Sequence, residues 1–267
     1  MTRLGRTWPA ALGAVALTSV GAARDAHALD GPSDTQAAPC RPTIACTADF
    51  AAPGAVELEA GGIYRHLGGG LGQVTTPFLV KVTTTKWLQL QVGSNGYTHE
   101  TGPGAASFFD NMNLGAKFHL VDQEGLRPSV AVAFAVSVPS GSQAQVTPTD
   151  SLLLTAFVSK DFGPLHADFN AGLDRLGVND DPSTQAWLSL ALSTSLPAHL
   201  GVELESYYFS PALPIANHDG GVLGALTYNP LPWLVLDAGG DVGYFATRSF
   251  SIFGGLTVIP FVLWKAP

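Results

Sequence analysis

The sequence predicts an all-β protein: a closed antiparallel up-and-down transmembrane β-barrel of about 12 strands, crossing a bacterial outer membrane. Three observations predict it. Apolar residues alternate with polar or small ones from Ala55 almost to the end. The connections between these stretches tend to be short at one end and long at the other, as outer-membrane barrels have them. The chain also begins with an export address. The clearest stretch is Leu165 to Leu173, L-H-A-D-F-N-A-G-L, in which Leu165, Ala167, Phe169, Ala171 and Leu173 alternate with His166, Asp168, Asn170 and Gly172. Period two sends one set to each face of a strand, one face suited to oil and the other to water. One such strand would also serve a soluble sandwich; its recurrence behind an export signal points to the membrane.

Composition agrees. Charged residues make up 13% of the chain, against roughly 25% in soluble domains. The mature region holds no apolar run of the ~18 residues a helical span needs.

Residues 1–28 read as a signal peptide, with basic Arg3 and Arg6, the apolar run Pro9 to Ala23 and the cleavage triplet Ala26-His27-Ala28. Its removal takes three arginines and one aspartate, making a chain of net charge −8 more acidic still. That excludes nucleic acid as a partner. Residues 29–54, rich in Ala, Pro, Asp and Thr without apolar period, read as a periplasmic leader or a small plug. Cys40 and Cys46 stand here in C-R-P-T-I-A-C. Export to an oxidising compartment makes a disulfide the expected state, with two thiols or other pairings as the alternative.

The barrel is expected over residues 55–267. In the first strand Val56, Leu58, Ala60 and Tyr64 oppose Glu57, Glu59 and Arg65. A Gly-rich loop over Leu67 to Gly72 leads to a second strand, Val74 to Val82, with Lys81 on its polar face. Trp87 to Gly93 sets Gln89 and Gln91 against Leu88 and Leu90. A long polar loop is expected over Ser94 to Ala106. Phe108 to Leu120 sets Asn113 and Lys117 against Leu114 and Phe118, and Val130 to Val138 alternates with alanines and Ser137. A loop over Pro139 to Pro148 precedes a sixth strand marked by Leu152 to Val158. After the seventh, Leu165 to Leu173, a loop is expected over Gly177 to Pro182. The eighth runs Ala186 to Leu192, and the ninth sets Leu200, Val202 and Leu204 against Glu203 and Glu205. A tenth, Gly221 to Tyr228, ends in a turn over Asn229 to Pro232. The eleventh places Leu234, Leu236 and Val242 opposite Asp237 and Asp241, and the last runs from Arg248 to Phe261. Trp87, Tyr97, Trp233, Tyr244 and Trp264 near strand ends suit interfacial belts.

The stretches S-F-F-D-N-M-N-L-G-A-K-F-H-L, L-R-P-S-V-A-V-A-F-A-V-S-V-P-S-G, H-L-G-V-E-L-E-S-Y-Y and N-P-L-P-W-L-V-L-D-A-G-G-D-V-G carry a resemblance. Together they resemble the outer-membrane transporter family labelled for the meta-pathway of phenol degradation. Asp110, Leu114, Gly115, Lys117, Pro128, Pro139, Gly141, Glu203, Glu205, Leu236, Asp237 and Gly239 stand at the matching places. The resemblance implies a barrel that takes up hydrophobic or aromatic solutes. The chain departs from the pattern in its Cys-bearing leader and in ending W-K-A-P rather than on an aromatic residue.

The polar face is read as the lumen. Its pathway residues are Glu57, Glu59, Lys81, Asn113, Lys117, His166, Asp168, Glu203, Glu205, Asp237 and Asp241, with acids in excess, so a narrow lumen would favour cations over anions. The alternative is a filled interior with acids paired to bases and amides. Catalysis is not expected: the histidines are scattered and no G-x-S-x-G occurs. His166 and Asp168 make only two ligands of a metal site, so no metal and no cofactor is expected. The expected function is an outer-membrane channel or transporter for small solutes, surrounded by lipid and lipopolysaccharide. A structural or surface-interaction barrel, or less favoured a lipid-modifying enzyme, would compete. Oligomeric state is not legible.

Overall fold

The computed structural model describes residues 35–142, 151–178, 181–211, 218–245 and 249–264. The signal peptide and its cleavage site lie outside them, as do the first residues of the leader, 143–148 of one expected loop, 179–180 of another, residues 212–217, and Arg248.

The described strands are β1 (Ala55–Gly68), β2 (Leu71–Thr75), β3 (Phe78–Thr85), β4 (Leu88–Ser94), β5 (Tyr97–Thr101), β6 (Ser107–Phe109), β7 (Met112–Val121), β8 (Ser129–Val138), β9 (Leu152–Phe162), β10 (Leu165–Val178), β11 (Asp181–Leu196), β12 (Leu200–Phe209), β13 (Asp219–Leu231), β14 (Leu234–Gly243) and β15 (Phe250–Val262). Each barrel strand pairs antiparallel with its neighbours, and β15 returns to pair with β1 from Ala55↔Val262 to His66↔Phe250. The result is a closed 12-strand antiparallel barrel. Closure of β15 on β1 spares the long barrel strands an open edge that lipid would desolvate, while the short β6 pairs with β5 alone among the described strands.

Three crossings are broken at one level. β2 and β3 are one crossing interrupted at Thr76-Pro77, β4 and β5 one interrupted at Asn95-Gly96, and β6 and β7 one interrupted at Asp110-Asn111. Backbone bonds stitch the breaks together: Thr76 N–H donates to Tyr97 O (3.0 Å) and Asp110 N–H to Gly96 O (2.9 Å). Pro77 has no N–H to give a ladder, and Gly96 sits at φ +67°, a conformation glycine adopts without strain. Beyond the breaks β2, β5 and β6 extend the sheet from the far half of β1.

This corrects the sequence reading of three loops. The stretch expected as a loop from Ser94 to Ala106 contains β5, because Gly and Pro mark bends in continuing strands here rather than their ends. The Gly-rich loop contracts to a turn at Gly69-Gly70, and β10 and β11 run through to Val178 and from Asp181. Likewise Asn229-Pro230 is an irregularity inside β13, which still pairs Leu231 with Leu234, so the turn is Pro232-Trp233.

Alternation governs the faces throughout. On β11, Gln185, Trp187, Ser189, Ala191 and Ser193 are buried inside, while Leu188, Leu190 and Leu192 are exposed outside. The barrel is thus inverted relative to a soluble protein, with an apolar outer band and a polar interior. Exposed Trp87, Trp233 and Trp264 lie at one end of the strands and exposed Tyr97 and Tyr244 toward the other, where amphipathic rings suit headgroups.

Candidate functional site

The lumen wall is built from alternate positions of neighbouring strands. Glu57 of β1 is registered opposite Lys81 of β3. Lys81 Nζ lies 2.8 Å from Glu57 Oε2 and 2.6 Å from Glu59 Oε1, with all three side chains about fully buried. Across the lumen, His166 of β10 holds Asp161 Oδ1 through Nδ1 (2.6 Å) and Asp168 Oδ1 through Nε2 (3.1 Å), and Ser159 donates to the same Asp168 oxygen. Lys117 of β7 stands over the rings of Phe50 and Phe157, 5.5 and 4.2 Å from their centroids. Asn113, Glu203, Glu205 and Asp237 are buried on the same inner surface, and Asp241 joins them through Tyr207 and Ser251.

What fills the space between these walls is the chain's own N-terminal segment. Residues 35–54 lie inside the barrel, entering near Pro232, whose carbonyl accepts from Ala37 N–H at 2.9 Å, and returning to β1 at Gly54. Within residues 35–54 the segment packs against the lumen wall. The wall carboxylates receive its backbone donors. Ala38 N–H bonds Glu57 Oε1 (2.9 Å) and Cys40 N–H bonds Glu59 Oε1 (2.6 Å). The Ile44 and Ala45 N–H groups both bond Glu205, at 2.7 and 2.6 Å. Wall cations take plug carbonyls: Lys81 donates to Ala38 O at 2.6 Å, and Lys117 donates to Thr47 O. Farther along, Ala48 N–H reaches Ser159 Oγ (2.7 Å), and Ser129 donates to Asp49 (2.7 Å).

Arg41 is the plug's cation. Its guanidinium meets both Asp237 oxygens at 3.3 Å. It lies over Gly61 and Gly255, which are registered opposite each other on β1 and β15. A Cβ at either glycine would come within 2.4 or 2.5 Å of it, so two bare positions make its groove.

Cys40 and Cys46 are thiols in contact, buried with Ala48, Leu79, Ala131, Ala133 and Phe157. The hydrogen bond to Cys46, then burial, holds the Cys40 thiol well above its ordinary range. Thiolate is the reactive form, so alkylation of the folded reduced protein should be slow and should become fast on unfolding. We propose that export oxidises the pair to a disulfide, fixing the plug tip as a closed loop. Mass spectrometry without reductant should then show the loss of two hydrogens. Full alkylation of unreduced, unfolded protein would show that the thiols persist.

Above the tip lies a group the sequence reading did not pick out. Trp187, Tyr207 and Phe209 form a buried cluster with Ile44 packed against it. Trp187 Nε1–H donates to Asp174 (3.3 Å) and Tyr207 OH donates to Asp241 (2.9 Å). The signal was present: Tyr207 and Phe209 continue the parity of Glu203 and Glu205 along β12. Glu203 Oε2, both Asn113 polar atoms and both Asn170 polar atoms are buried without a hydrogen-bond partner. Among the described residues no three metal-ligating side chains converge.

No family model matches this chain, and no curated protein matches it. Solved structures do. An outer membrane channel from Pseudomonas putida F1 superposes with a TM-score of 0.57 at 11% identity, over 85% of this chain and 98% of that one. The porin NanC superposes with a TM-score of 0.54 at 10% identity, over 75% of this chain and 98% of that one. These superpositions agree with the barrel that the sequence resemblance implies, and the phenol-degradation label rests on that resemblance alone. With its inverted faces and closed ring, the chain has the fold of a bacterial outer-membrane β-barrel.

Proposed function

We propose that this protein is an outer-membrane channel for small solutes whose lumen is closed by its own N-terminal segment. The observation that supports this most is how the plug is held. Its polar contacts are backbone amides and carbonyls on wall carboxylates and lysines, together with the ion pair Arg41–Asp237, and its apolar contacts are small clusters at Cys40, Cys46 and Ala48, at Ala37 and Ala51, and at Ile44. Water can replace the polar contacts at modest net cost, and the apolar ones involve mostly alanine and cysteine, whose small side chains bury little area. The segment is joined to the barrel at Gly54 and enters from the end where β1 begins and β15 stops. That end would be the periplasmic one, with residues 1–28 cleaved after Ala28 during export and lipid and lipopolysaccharide surrounding the rest. This reading assigns the protein no catalysis.

A plug that leaves takes Arg41 with it. Glu57, Glu59, Glu203, Glu205 and Asp237 would then line the opening against Lys81 and Lys117, which favours cations. Arg41→Glu sets a like charge against Asp237 and should loosen the plug. In planar bilayers this variant should conduct more often than wild type, and its reversal potential across a KCl gradient should have the sign of cation preference. Chloride preference would remove the charge argument and leave the channel. Silence from both proteins would favour a structural or surface-interaction barrel.

A further inference from the structure

The contacts of the plug tip describe a ligand. Two N–H donors, from Ile44 and Ala45, converge on the single carboxylate of Glu205 at 2.7 and 2.6 Å. Next to them an apolar branched side chain, Ile44, rests against Trp187, Tyr207 and Phe209. The polar handles of Trp187 and Tyr207 are taken by Asp174 and Asp241, which leaves the rings to meet the tip as apolar, electron-rich surfaces. Resting on the channel reading above, we infer that the tip occupies a binding site for amphipathic organic ammonium ions, the ammonium on Glu205 and the apolar body among Trp187, Tyr207 and Phe209.

The chemistry of the wall selects this class over others. A primary ammonium carries three N–H donors on one compact charge, enough to replace both tip amides on Glu205. The neighbouring carboxylates Asp168 and Asp237 are partnered by His166 and by Arg41, and Arg41 belongs to the plug. Glu203 Oε2 is buried without a partner, facing the field of Asp168, Glu205 and Asp237. A carboxylate solute at Glu205 would meet the like charge of Glu203, Asp168 and Asp237, while the cation Arg65 acts farther along, on Tyr207 and Asp241. Inorganic cations would satisfy the carboxylates and leave the rings to water. An aromatic or branched ammonium satisfies both, and a cation beside aromatic faces gains further attraction.

The test is titration calorimetry on the detergent-purified full-length mature protein, with three probes: 2-phenylethylammonium chloride, sodium phenylacetate and ammonium chloride. Ile44→Asp places a carboxylate beside Glu205 and should drive the tip out, and Ile44→Ala gives a milder form of the same vacancy. Phenylethylammonium should bind Ile44→Asp about tenfold more tightly than wild type, with Ile44→Ala between. Adding Glu205→Gln should lose about tenfold, the scale of one hydrogen bond to a charged group. Phenylacetate should not bind, and ammonium should bind weakly and without dependence on Trp187→Leu. Equal binding of phenylacetate, or no binding to any of these proteins, overturns the inference. Bilayer recordings on the same variants separate it from the channel reading. Selective binding without conductance keeps the site and removes the channel; conductance without selective binding does the reverse.

Discussion

Replacing Lys81 by methionine should be the most damaging single substitution in the lumen. Lys81 spans three partners: Glu57 on its own sheet register, Glu59 one inward position along, and the Ala38 carbonyl of the plug. Methionine keeps the length and apolar stem but leaves two buried carboxylates without a cation. Breaking a buried ion pair on one side costs roughly 3–5 kcal/mol, because the remaining charge is desolvated without compensation. The triple variant Lys81→Met, Glu57→Gln, Glu59→Gln should recover much of that loss, since no orphan charge remains. Urea unfolding in lipid vesicles would measure both. Lys81→Met behaving like wild type would mean that water reaches these carboxylates and that the plug does not seal them.

Leu204→Arg should come next. Leu204 is 57% exposed on the outer face of β12, while its neighbours Glu203 and Glu205 are buried inside. A charge facing lipid near the bilayer midplane costs about 2–4 kcal/mol, and the opposite position, Gly224, offers no side chain to shield it. Folding yield, read as heat-modifiable migration on gels, should fall sharply. Glu203→Gln should do the opposite. Glu203 carries a buried oxygen without a partner among other acids, so neutralising it removes repulsion and should leave stability unchanged or higher. Comparable damage from the two variants would put the register of β12 in error by one residue.

The barrel itself was legible because period two is a local property. Each strand's inner and outer faces follow from neighbouring residues, and the even number of crossings follows from counting them. Parity therefore puts Glu57, Lys81, Asp168, Glu205 and Asp237 on one face from the sequence alone. Extended two or four positions along β12, it would also have put Tyr207 and Phe209 there. The break at Gly96 reads from the sequence as a loop because the residues that end strands are also those that bend them, whereas Pro77 falls inside the one strand read over Val74 to Val82; only the pairing of β5 with β2 shows that the chain continues past Gly96.

By itself, the sequence determined a membrane barrel with a polar inner face and an apolar outer one. Only the tertiary structure decided what that inner face touches. Residues 35–54 show no apolar period, since an insert in a polar lumen has no oil-facing side to pattern. They bind the wall through backbone N–H and C=O groups, which every residue but proline carries alike. Small side chains let that backbone come close to Glu57, Glu59 and Glu205, and closure of the ring brings those strands around it. Contacts made by the common backbone leave no mark on residue identity, and the side-chain contacts, Arg41 on Asp237 and Ile44 on Trp187, join residues far apart in sequence, so the plug's seat appears only once the chain is folded.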